Sequence, residues 1–129
     1  MMSTFLQRPQ PHESSDYYKN YIRQVEGQDI LSTLKHLQSQ TEAFFQSIPT
    51  DKWTYAYAPG KWTIKELVIH LLDTERIMAY RALRIARNDQ TPMPGFEQDD
   101  YVPQAFADKR SVASLIEEYR TVRAASITL

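Results

Sequence analysis

Apolar residues recur at steps of three and four along most of the chain, the period of a helix with one buried face. From Asp29 to Ser47 they are Ile30, Leu31, Leu34, Leu37, Thr41, Phe44, Phe45 and Ile48, drawing one stripe. Asp29, just after Gly27, is placed to cap the first turn, and Pro49 stops the pattern. A second run begins at Thr63. Thr63 and Glu66 form a capping box, each side chain satisfying the other's backbone amide. Ile64, Leu67, Val68, Leu71, Leu72, Met78, Ala79, Ala82, Leu83, Ile85 and Ala86 then make a broad apolar face. This helix is expected to end near Arg87-Asn88, with Arg84 and Arg87 at the negative end of its dipole, after about 35 Å. A third run starts near Ser111 and steps through Val112, Leu115, Ile116, Tyr119 and Val122. No segment alternates as a strand does, and no internal repeat is visible.

The connections are equally informative. Residues 1–16 are polar, contain Pro9 and Pro11, and read as an extended arm. Tyr17, Tyr18, Tyr21 and Ile22 could dock that arm, or it could remain a partly ordered tail. Residues 49–62 form an aromatic loop with Trp53, Tyr55, Tyr57 and Trp62, suited to closing a bundle end or to edging a pocket. Residues 88–110 form a long crossover without periodicity, a length that is uncommon inside a compact domain. The expectation is a single all-α domain over residues 1–129 with three long helices. Broad apolar faces and a long crossover suit four helices better. A fourth helix, or another subunit, is expected to cover the open face.

Charge is nearly balanced, with 15 Lys+Arg against 16 Asp+Glu, so no nucleic-acid or anionic-membrane partner is expected. No apolar run reaches bilayer length, and the N-terminus lacks the basic and apolar regions of a secretory signal. A cytoplasmic location is the expectation. The absence of cysteine removes disulfides, thiolate ligands and a cysteine nucleophile, leaving His, Asp and Glu as metal donors.

His70 is the residue that most needs explaining. It lies on the flank of the apolar stripe, four residues after Glu66 and three before Asp73, all within reach along one helix face. By spacing alone it can be a hydrogen-bonded packing histidine or a ligand. One histidine does not make a zinc site, and no H-x-x-x-H is present. His36 falls off its stripe and His12 lies in the polar arm, so both read as solvated. Glu75 sits near the middle of an apolar face, where a carboxylate must be paired. Arg81, Arg84 or a tyrosine hydroxyl could pair with it, giving either an interhelical clasp or a general base. Glu97, Asp99 and Asp100 make an acidic loop without the spacing of a calcium site. Arg81, Arg84 and Arg87 share a flank that could hold an anion or simply face water. Glycine-rich phosphate loops and serine-nucleophile elbows are absent.

The stretch YAPGKWTIKELVIHLLDTERIMAYRALRIARNDQTPMPGFEQDDYV resembles the DinB-like superfamily, and the resemblance extends from about Tyr17 to Leu129. It implies an up-up-down-down four-helix bundle and a divalent metal, such as zinc or nickel, bound by three histidines. One of these stands where His70 stands here. The other two come from an H-x-x-x-H on a fourth helix that residues 1–129 do not contain. It further implies activation of a low-molecular-weight thiol as thiolate.

Two functions are therefore expected. The first is a metal-dependent enzyme, a thiol S-transferase or hydrolase, with His70 as metal ligand in a site this chain leaves incomplete. Glu66, Asp73 and Glu75 would support that site, and Trp53, Trp62, Arg81 or Arg84 would border a small-molecule substrate. This chain by itself would bind metal weakly or not at all. The second is a non-catalytic helical module that forms a homodimer through its open apolar face.

Overall fold

The Thr63 hydroxyl accepts the Glu66 amide at 3.2 Å, and the Glu66 carboxylate accepts the Thr63 amide at 2.8 Å. This capping box starts the helix Ile64–Ala86, 23 residues long. Asn88 ends it in the left-handed conformation at φ 55°. The Asn88 amide donates to Ile85 O and the Asp89 amide to Arg84 O, each at 2.9 Å, the two bonds of a Schellman motif. The computed structural model describes residues 7–27 and 29–129. In chain order the helices are α1 (Asp16–Gln24), α2 (Ile30–Ser47), α3 (Ile64–Ala86), α4 (Gln98–Gln104) and α5 (Val112–Thr128). Short 3₁₀ turns at Thr50–Lys52 and Ala107–Lys109 complete the set. The described residues contain no strand, and the fold is all-α, as the periodicity predicts. No helix among them is long and apolar enough to cross a membrane.

Two helices were not expected. Residues 16–24 form α1 where an arm with docking tyrosines was read. Residues 98–104 form α4 inside the crossover that was read as structureless. Both span only about two turns, too little for an apolar pattern to stand out from the flanking loops, and Pro103 forfeits one of the few backbone bonds α4 could make.

The chain divides into two compact units, residues 1–37 and 38–129. In the first, the Arg8 guanidinium donates to Ile22 O at 2.9 Å, to Gly27 O at 2.8 Å and to Val25 O. A cation thus satisfies carbonyls left over at the C-terminal end of α1. The Asp29 carboxylate accepts the Leu31 and Ser32 amides at 3.0 and 3.3 Å, the expected cap of α2.

The second unit holds the core, formed by Phe45, Trp53, Val68, Ile69, Leu72, Ala107, Leu115, Ile116, Tyr119 and Val122. Phe45 stands edge-on to both Trp53, at 5.9 Å, and Tyr119, at 5.3 Å. The start of α3 meets the start of α5, and residues further along α3 meet residues further along α5. Lys65 Nζ donates to Arg110 O at 2.7 Å, Arg76 meets Glu118 at 2.5 Å, and Arg123 meets Glu75 at 2.8 Å. The two helices are therefore parallel, and the long crossover with α4 is what returns the chain to the starting end of α3. An up-up-down-down order would instead set the second and third long helices antiparallel.

Glu118 accepts from Arg76 and, at 2.7 Å, from Arg110. Burial pushes its carboxyl up, but the two guanidiniums outweigh that and hold it below the usual glutamate value. A depressed carboxyl stabilises the fold above its unfolded pKa, and the contribution fades as pH falls through the folded value. Glu118→Gln is therefore expected to cost roughly 1 kcal/mol near pH 7, after allowance for solvent screening. The gap to the parent should close as pH drops below about 4, readable in urea titrations at several pH values.

Candidate functional site

The loop before α3 is tied to that helix by its own backbone. Tyr55 O accepts the Ile64 amide at 3.1 Å and Trp53 O accepts the Lys65 amide at 3.0 Å, satisfying first-turn donors that have no intrahelical partner. Gly60, at φ 74°, reverses the chain, a conformation that glycine adopts without strain. This brings Trp62 back over α3, where its ring lies 4.9 Å from the His70 imidazole at 48°. His70 is half-buried, next to the buried Ile69. Among the described residues neither of its ring nitrogens makes a hydrogen bond.

Beside this pair opens a basin of about 920 Å³. Tyr55, Tyr57 and Trp62 supply rings, α3 supplies Glu66 and Leu67, and α4 supplies Asp99, Val102 and Pro103. The aromatic loop thus serves both roles open to it. Trp53 is wholly buried and closes the core, so it does not border a substrate as expected. Tyr55, Tyr57 and Trp62 edge the basin. Asp99 was read only as part of a solvated acidic loop. Its place in the basin depends on α4, which the sequence pattern did not reveal.

The other expected site residues separate into distinct groups. Asp73 lies one turn beyond His70. Burial raises its carboxyl above the usual value and Glu118 adds to that, while Arg76 and His70 pull the other way. The Glu66 carboxylate is engaged by the cap. Glu75 is bound in two places by Arg123, at 2.8 and 3.1 Å, so its partner is on α5 rather than being Arg81, Arg84 or a tyrosine. This is the interhelical clasp. Arg84 donates to Asp89 and to Thr91 O, both at 2.8 Å, and Arg81 donates to Pro94 O at 3.2 Å. These two arginines hold the start of the crossover against α3, away from the residues that line the basin. The Arg84 hydrogen bond, helped by Thr91, holds the Asp89 carboxyl at about 2. His12 and His36 are exposed.

Among the described residues no three or more of His, Asp and Glu converge on a point where a metal ion could be held. A zinc site draws at least three protein donors. The residues present do not complete such a set, and His70 is a single donor.

An all-α protein with a helical histidine packed on a tryptophan beside an aromatic basin is what the geometry defines. Residues 33–129 match the model of the DinB superfamily, and the chain belongs to that superfamily. It is similar to the Oceanobacillus iheyensis protein named "Putative metal-dependent hydrolase OB0413", with 28% identity over 81 residues. That match covers 60% of this chain and 46% of the relative, so the chain spans about half the length of the curated relative it matches. No solved structure matches the chain.

Proposed function

We propose that this chain forms part of a metal-dependent enzyme in which His70 donates one ligand and the remaining donors come from outside the described residues. The observation that carries this reading is the placement of His70. Its ring packs on Trp62, its nitrogens have no hydrogen-bond partner among the described residues, and Trp62 in turn lines a basin large enough for a small molecule. The relative's name and the superfamily support a divalent metal, and half of the relative's length lies beyond the match. Such a metal, when bound, would favour the charged, nucleophilic form of water or of a thiol, the step shared by hydrolysis and thiol S-transfer.

The chain's own residues have simpler tasks. Trp62 fixes the imidazole plane, Asp73 adds a partly buried carboxyl one turn away, and the basin receives the body of the substrate. In the protein expressed from its own gene, bound zinc or nickel measured by elemental analysis should approach one equivalent. His70→Ala should lower metal affinity at least tenfold while the helical signal and unfolding midpoint stay near the parent values. Unchanged metal content in that variant would refute the assignment.

A second reading rests on a separate observation. Leu67, Leu71, Met78 and Ile85 form an exposed apolar arc on α3, flanking the arc that buries Val68 and Leu72. Self-association through this arc fits the helical-module alternative. Leu71→Lys should then shift light-scattering mass towards the monomer, whereas an arc with another role would leave the mass unchanged.

A further inference from the structure

We infer that the basin beside Trp62 recognises a small organic cation, an ammonium group carried on an apolar body. Three aromatic rings, Tyr55, Tyr57 and Trp62, share the lining with one carboxylate that has no other engagement, that of Asp99. Ring faces carry negative quadrupole potential and attract ammonium groups, and a carboxylate at the edge supplies the counter-charge. Among the described residues the Asp99 carboxylate, the two tyrosine hydroxyls and the Trp62 indole N–H make no hydrogen bond, so all four are available to a ligand. Leu67, Val102 and Pro103 supply the apolar floor that the body of the ligand would cover. Glu66 adds a second carboxylate, although one of its oxygens serves the cap.

The basin contains one opposing charge, Lys61, at its exposed edge. Lys61 gives the inference its sharpest test, because removing it should help a cation and removing Asp99 should hurt one. This inference names a ligand class for the basin, and it rests on the proposed function only where it treats that ligand as a substrate. Binding itself requires neither metal nor His70 chemistry.

The experiment is an NMR titration of the full protein, following the indole signals of Trp53 and Trp62. The probe is phenethylammonium, with 2-phenylethanol and phenylacetate as its neutral and anionic matches. The ammonium should move the Trp62 signal, leave that of the buried Trp53 in place, and bind at least about threefold more tightly than the neutral match. Asp99→Asn should weaken it about threefold or more and Lys61→Gln should strengthen it, opposite effects that a folding defect does not produce. Equal binding of the three probes, preference for the anion, an unmoved Trp62 signal, or indifference to Asp99→Asn would each overturn the inference. Metal content and ammonium binding are separate readouts on the parent protein, so absence of bound metal with ammonium binding retained, or the reverse, shows which of the two has failed.

Discussion

Trp53→Ala should destabilise the protein by about 3–5 kcal/mol, a large part of the stability of an ordinary domain. The side chain is 0% exposed, lies edge-on to Phe45 at 5.9 Å, and donates its indole N–H to Ile48 O at 3.3 Å. Truncation would leave a cavity between the loop and the core and would strip that carbonyl of a partner. The backbone of the same residue also supplies the carbonyl that accepts the Lys65 amide, so a collapse there would loosen the start of α3. Urea denaturation should show a lower midpoint with an unchanged slope. A midpoint near the parent value would mean that the loop is not part of the core. Trp62→Ala, at the half-buried ring over His70, should cost much less stability and act on the basin instead.

The second large effect is expected at the clasp between α3 and α5. Glu75 and Arg123 retain 18% and 16% side-chain exposure, and the guanidinium also lies 5.5 Å over the Tyr119 ring. Glu75→Ala would leave a largely buried guanidinium without its partner, for an expected loss of about 2–3 kcal/mol. The double replacement Glu75→Leu with Arg123→Met should cost less than that single change, because no buried charge remains. A double-mutant cycle measured by chemical denaturation gives the coupling. Additive losses would show that the two side chains do not depend on each other.

Much of this framework is legible in the sequence because caps are local. Thr63 with Glu66, Asp29, Ser111 and the Arg87-Asn88 end each declare a helix boundary within a few residues. The oddness of Glu75 is equally legible, since a carboxylate on an apolar face needs a partner. The identity of that partner is not, because Arg123 lies 48 residues away and meets it only once α3 and α5 run parallel. The same limit applies to Asp99. Its role depends on α4, seven residues containing a proline, which tertiary contact rather than periodicity stabilises. Trp53 and Trp62 are alike in composition and diverge because Gly60 turns only the second towards His70. Arg84 read as a substrate contact because its alternative partner, Asp89, becomes available only after the Asn88 turn.

The central proposal is that His70 is a metal donor. It is tested most directly by adding Co(II) to the protein expressed from its own gene and recording the ring-proton signals of its three histidines from this region. The His70 ring protons should move far outside the normal range, while those of His12 and His36 stay in place. Bound Co(II) that leaves the His70 signals unshifted would contradict the assignment and return His70 to a packing role against Trp62.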